Sequence, residues 1–136
     1  MSIFTTILTA CAGESPDHLG VSGGRLTACP VSPNCVSSQA EDEAHRIAPL
    51  VFKDPSEMAF ARLKQILDGR GDTTIIGERP GYLRVEFHTV LFVDDGEFLL
   101  DAKQRLIQVR SASRMGYSDL GKNRRRLEEI RQSFTE

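Results

Sequence analysis

The sequence predicts a small α+β domain: a four-stranded antiparallel sheet with one helix before it and one after it, preceded by an extended N-terminal tether. Apolar residues recur at helical spacing over residues 55–68 and again over 120–134. Between them, four stretches alternate apolar and polar residues and are joined at turn-forming residues. An antiparallel sheet whose helices cover one face is the economical way to bury that pattern, which gives the order α-β-β-β-β-α. With 136 residues, 40% of them hydrophobic, the chain supplies one core and one domain.

Composition excludes several function classes. A formal net charge of -2 provides no global field for nucleic acid, and 7% aromatic residues without any Trp leave no stacking platform for single strands. No nucleic-acid partner is expected. No run reaches the roughly 18 to 20 apolar residues of a membrane-spanning helix. His18, His45 and His88 are scattered without metal-ligand spacing, so neither a metal nor a cofactor is expected.

The N-terminus carries its own signal. Residues 1–10 are mildly apolar and end in Leu8-Thr9-Ala10-Cys11, which resembles the lipobox of bacterial lipoprotein precursors. The expectation is cleavage before Cys11, acylation of Cys11 and attachment to a membrane through that lipid. Residues 11–28 are rich in Gly, Pro, Ser and Asp without a sustained period and read as the tether; residues 29–136 read as the domain.

Cys29-Pro30-Val31-Ser32-Pro33-Asn34-Cys35 is a proline-stiffened loop bounded by cysteines. A bridge closing it would remove about 2 kcal/mol of denatured-chain freedom and requires an oxidising compartment, which agrees with export. The rival readings are a zinc ligand pair, for which this spacing is poor, and a nucleophilic Cys35 with His45 as its base.

Asp54-Pro55 reads as an N-cap followed by proline at the first helical position, and Ala59, Phe60, Leu63, Ile66 and Leu67 then share one face until Gly69 and Gly71 end the helix. The β-branched run Thr74-Ile75-Ile76 and the alternation of Leu83, Val85 and Phe87 make the first two strands, turning at Arg79-Pro80-Gly81. A third strand spans 91–101. A turn at 102–104 leads into the fourth, 105–113. The final helix is expected to place Leu120, Leu127, Ile130 and Phe134 on one face.

Across most of its length the chain resembles the bacterial and plastid family of unknown function designated DUF1499. The resemblance rests on Cys29-Pro30, Ser32-Pro33-Asn34-Cys35-Val36-Ser37-Ser38, Asp94-Asp95, Glu97-Phe98, Arg110-Ser111-Ala112-Ser113-Arg114, Gly116-Tyr117-Ser118-Asp119-Leu120-Gly121 and Asn123-Arg124. The resemblance implies no activity, but many bacterial members look like lipoproteins, as the Leu8 to Cys11 motif would fit. Gly96 departs from the family's apolar strand residue and suggests a bulge beside the acidic pair.

The stretch from Phe92 to Asn123 concentrates opposite charges where a small fold usually buries apolar surface. Asp94, Asp95 and Glu97 lie on the third strand. On the fourth, Arg110 and Arg114 share one face while Ser111 and Ser113 share the other. At about 100° per residue, Asn123 falls near the middle of the final helix's apolar stripe with Arg124 at its margin, so Asn123 needs hydrogen-bond partners and Arg124 a carboxylate from Asp94 or Asp95. Basic residues Lys122 and Arg124 to Arg126 crowd the start of that helix against its dipole, a conflict that Asp94, Asp95 and Glu97 or a bound anion would resolve. A hairpin register centred on 102–104 sets Asp94 near Ala112 and Glu97 near Val109.

These residues, with Asp119 of the Ser118-Asp119-Leu120 motif, suit either an internal ion-pair network or a binding site for an anion or for a divalent cation at the three carboxylates. The function expected is a non-catalytic, lipid-anchored envelope protein that faces the periplasm and binds a partner protein or an anionic ligand. Ala12 after the anchor cysteine favours the outer membrane. The alternative is a hydrolase-like enzyme using Cys35 or the Asp94, Asp95 and Glu97 group.

Overall fold

Residues 13–135 are described by a computed structural model of the chain; the lipobox, Cys11 and the segment before it lie outside the described residues. The elements are, in order, β1 (Val21–Ser22), β2 (Arg25–Leu26), β3 (Cys35–Ser37), β4 (Leu50–Val51), α1 (Ser56–Asp68), β5 (Thr73–Arg79), β6 (Tyr82–His88), β7 (Val93–Asp101), β8 (Leu106–Ser113) and α2 (Lys122–Thr135). The four long strands β5 to β8 form the expected antiparallel meander. The sheet has six strands rather than four, because the short β3 and β4 both pair antiparallel with β8. Such two- and three-residue strands lack the length for a readable alternation, so only the partner strand defines them.

The helices cover one face. Ala59, Leu63 and Leu67 of α1 and Leu127, Ile130 and Phe134 of α2 pack on Leu83, Val85, Phe87, Phe98, Ile107 and Val109 of the sheet. Helix α1 starts one residue later than proline at its first position implies: Pro55 itself is the N-cap and makes no side-chain capping bond, while Asp54 pairs with Arg62. No helix among the described residues is long and apolar enough to cross a membrane.

Two expectations about β7 are corrected. Gly96 sits in regular register between Val85 and Ser111, with no bulge; the irregularity lies between Ile75 and Gly77 of β5. Glycine is required because a Cβ there would lie 2.5 Å from the Phe87 ring and 2.8 Å from Val85. The β7–β8 register is one residue away from the expected one: Asp94 faces Ser113 and Glu97 faces Arg110. The turn takes an extra residue because Arg105 enters the left-handed region, at φ 57°.

The segment expected to be a tether carries the β1–β2 hairpin and lies on the face of the sheet opposite the helices. The Gly20 amide donates to Glu97 Oε2 at 2.9 Å, and Arg84 donates to Ser15 Oγ and to the Pro16 carbonyl. Gln39 accepts from the Leu26 amide at 2.8 Å. Residues 13–28 thus form a strap across the polar side of the sheet.

Candidate functional site

Strand alternation divides the charged cluster between the two faces of the sheet. Asp94 points to the helices; Asp95 and Glu97, one and three residues on, both have the opposite parity and point to the strap. The three carboxylates therefore do not converge, and a single ion cannot be held by all of them.

On the helix side, Asn123 is fully buried. Its Oδ1 accepts from Ser111 Oγ at 2.6 Å, and its Nδ2 donates to Asp119 Oδ2 at 2.7 Å and to Ser113 Oγ at 3.0 Å. Asp119 also accepts from the Gly121 and Asn123 amides. Burial raises the pKa of Asp119, but the bonds from the Asn123 side chain and these amides outweigh it and leave a net depression. A carboxylate thus caps the helix whose basic start opposes its dipole. Asp94 adds a second negative charge there, accepting from Arg126 at 2.8 Å with Lys122 at 3.3 Å. Asp95 and Glu97 take no part.

Arg124 differs from its expectation. It donates to the Arg46 carbonyl at 2.7 Å and the Ala44 carbonyl at 3.1 Å, and no carboxylate among the described residues pairs with it. The buried arginine is Arg126, which lies 4.6 Å over the Phe87 ring and holds Asp94. Its spacing was informative: three residues after Asn123 and four before Ile130 is the middle of the apolar stripe. Asn34, also buried, ties the cysteine loop to this side by donating to the Gly116 carbonyl at 2.7 Å and accepting from the Ser113 amide at 3.0 Å.

On the strap side, Arg114 is paired with two carboxylates. Its Nε and Nη2 each donate to Asp95 at 2.9 Å, and Nη2 also reaches Glu86. The bond to Asp95 first, and then Glu86, hold its pKa above the ordinary arginine value despite burial. Arg110 is the opposite case. Its side chain is 3% exposed, yet its Nη1 stops 4.0 Å from Glu97 Oε1, beyond hydrogen-bond range. Its one bond is a long 3.4 Å contact from Nη2 to the Ala28 carbonyl, and its Nε has no partner among the described residues. Desolvation lowers its pKa, with Glu97 and Asp95 opposing the shift. Glu97, fully buried, accepts from Tyr82 Oη and the Gly20 amide through Oε2, while Oε1 has no partner among the described residues. Burial and that bond raise the Tyr82 pKa, so the phenol is the donor. Tyr82 and Glu86 went unnoticed in the sequence because each is an ordinary polar position of an alternating strand.

Between strap and sheet lies a cavity of about 340 Å³, walled by Pro16, Leu19, Ala28, Cys29, Arg110 and Arg114 among others. The strap wall mixes the apolar Pro16, Leu19 and Ala28 with Glu14 and His18, and the sheet wall presents the under-partnered guanidinium of Arg110 beside the Asp95–Arg114 pair. Cys29 and Cys35 are joined by a disulfide that fixes the cavity's rim, with Cα atoms 5.7 Å apart. A sulfur so bonded has no thiolate, and His45 is occupied elsewhere, by Asp42 and the Ser32 carbonyl. Both of its ring nitrogens face acceptors. The Ser32 carbonyl first, and then Asp42, raise its pKa against a smaller effect of burial.

The chain matches, over residues 25–134, the model of a family described as "Protein of unknown function (DUF1499)". No curated protein and no solved structure matches it.

Proposed function

The chain belongs to the DUF1499 family, and from that premise we propose that it is a non-catalytic, lipid-anchored envelope protein whose domain binds an anionic ligand in the cavity beneath the strap. The observation that carries the reading is Arg110. A guanidinium offers five donors, and leaving a buried charged donor unpaired costs more than the roughly 1 to 3 kcal/mol of a neutral group. Beside it Arg114 is neutralised by two carboxylates, whereas the buried Nε of Arg110 has no partner among the described residues. A carboxylate or phosphate oxygen entering there would gain charge-assisted bonds.

The anchor on Cys11 and a periplasm-facing position, with the outer membrane favoured, belong to the same proposal. They are supported by the lipobox and by the Cys29–Cys35 disulfide, a bond that persists in oxidising compartments. The hydrolase-like alternative has less support: the disulfide occupies Cys35, and the sheet separates Asp94 from Asp95 and Glu97.

The ligand reading is tested by following the Tm while titrating inorganic phosphate and, separately, N-acetylglycine as a peptide-like carboxylate. Selective binding to the folded state raises the wild-type Tm with concentration, and Arg110→Gln abolishes the rise for the anion that fits. A wild-type Tm that moves no more than that of Arg110→Gln with either anion overturns it. For the anchor, fractionation of cells carrying Cys11→Ala should show the protein moved from membrane to soluble periplasm.

A further inference from the structure

Among the described residues, six of the eleven exposed large apolar residues come from two short loops: Val90, Leu91 and Phe92 between β6 and β7, and Met115, Tyr117 and Leu120 between β8 and α2. The loops are neighbours at one end of the sheet. The His88–Val93 and Asp94–Ser113 pairs close that end, the Arg114 amide donates to the Val93 carbonyl, and Phe92, Met115 and Leu120 wall one shallow cavity of about 200 Å³. Scattered apolar residues need no explanation, but a contiguous exposed group marks a contact surface. Leu120 strengthens the case. It is 83% exposed and held at φ 55°, a conformation costing a non-glycine residue about 1 kcal/mol, while Asp119 fixes the turn around it. The fold therefore spends strain to hold a leucine outward.

The chain's own N-terminal segment leaves from the same place. Gly13 packs so closely on the second loop that a Cβ there would lie 3.0 Å from Arg114 Cβ and from Met115 Cγ. Two residues of chain reach at most about 7 Å, so a lipid carried two residues before Gly13 would tie the membrane close to Gly13. The charges also fit. The loops, residues 89–92 and 115–120, hold one charged residue, Asp119, whose carboxylate is turned into the helix start. Beside them stand Lys122, 5.3 Å over the Phe92 ring, and the exposed Arg125, which donates to the Leu120 carbonyl. Apolar tips rimmed by lysine and arginine are the composition of a surface that enters the headgroup region of a bilayer.

We propose that these two loops form a lipid-contacting face, pressed into the membrane that holds Cys11; the proposal rests on the anchoring reading above. The domain is then held in one orientation, with the β6–β7 end at the bilayer and the β7–β8 hairpin pointing away, rather than swinging on a free tether.

The absence of Trp from the chain permits a direct test. Tyr117→Trp, with Leu91→Trp as a second probe, reports the face; Val51→Trp, exposed and paired with Leu106 at the far end, is the control. The full chain is purified from exporting cells, its intact mass is measured for the acyl group, and it is mixed with phosphatidylethanolamine and phosphatidylglycerol vesicles bearing brominated acyl chains. Tyr117→Trp and Leu91→Trp should lose most of their emission and shift to the blue, while Val51→Trp is unchanged. Acylated, vesicle-bound protein whose Tyr117→Trp and Leu91→Trp behave like Val51→Trp overturns the face and leaves the anchor standing. Quenching without an acyl group supports the face and removes the anchor; neither quenching nor acylation removes both. A Tyr117→Trp emission already blue-shifted before vesicles are added, and unquenched after, assigns the face to residues 1–12 of the chain and overturns the proposal.

Discussion

Glu97 faces Arg110 directly across the β7–β8 pair, and the nearest charged atoms of the two buried side chains stop 4.0 Å apart. Two residues back along β7, Asp95 reaches past its strand partner Ala112 to meet Arg114 through two bonds of 2.9 Å. The same strand pair thus holds one closed ion pair and one open one. The open one borders the cavity.

That difference predicts unequal coupling. Arg114→Ala leaves the buried Asp95 uncompensated and should cost about 3 to 5 kcal/mol, Asp95→Ala should cost less because Glu86 still pairs with Arg114, and the double variant should cost well below the sum. Asp94→Ala with Arg126→Ala should behave likewise, since Asp94 is held by Arg126 and not by Arg114. Asp95→Ala with Arg110→Ala should couple far more weakly. Urea unfolding of the singles and doubles measures all three, and equal coupling for Asp95 with Arg110 and with Arg114 contradicts the division.

Long-period features of this architecture were legible in the sequence, and short or coupled ones were not. The 3.6-residue repeat in Leu127, Ile130 and Phe134 and the alternation of Leu83, Val85 and Phe87 identify the helices' side of the sheet, because a whole face repeats the signal. The extra pairing of Cys35–Ser37 with β8 carries no repeat and depends on its partner. Asn123 was conspicuous as an amide in an apolar stripe. Arg126, also buried, stands out by its spacing alone, because a run of three arginines reads by composition as a solvated helix start. Leu120 was misplaced on that stripe because periodicity does not register that Asp119 caps the helix after it. The strap was unreadable for a related reason: glycines and prolines signal irregular chain, and its attachment is made by backbone amides and carbonyls that every sequence possesses.

Gly96→Ala should destabilise the domain by about 1 to 3 kcal/mol, the range for an overpacked core. The added methyl meets the Phe87 ring and Val85, both fully buried with no room to withdraw. The lowered Tm of Gly96→Ala should recover in part when Phe87→Leu is added. A Gly96→Ala protein as stable as wild type contradicts the close packing at this point.

Asp119 makes the stability of α2 sensitive to acid. Its folded pKa is depressed below the unfolded carboxylate value, so its contribution is present above that value, about 3.9, and is lost as pH falls through the folded one. The urea midpoint of wild type should drop over that interval more steeply than that of Asp119→Asn, which has no proton to take up there. Parallel pH profiles for the two proteins contradict the assignment.

Reduction of Cys29–Cys35 should lower both stability and anion binding, and the two effects have separable origins. Opening a loop of this length restores denatured-chain freedom worth about 2 kcal/mol, an effect that appears in the urea midpoint whether or not a ligand is present. The second effect is local to the folded state. Ala28, whose carbonyl makes the lone contact with Arg110, directly precedes Cys29, and Cys29 itself walls the cavity. Cys35 is paired with Ala112 on β8, so the disulfide fastens the strap to the strand that carries Arg110. With the bond gone, the strap remains attached through Gly20 and Arg84 but loses its register beside Arg110. Cys29→Ser with Cys35→Ser should therefore remain folded at low temperature with a reduced urea midpoint, and the Tm increment from the anion that fits the wild-type cavity should shrink beyond what the lower stability accounts for. An undiminished increment in that variant would show that the strap holds its place without the disulfide and that the cavity's wall is set by the hydrogen bonds at Glu97 and Arg84 alone.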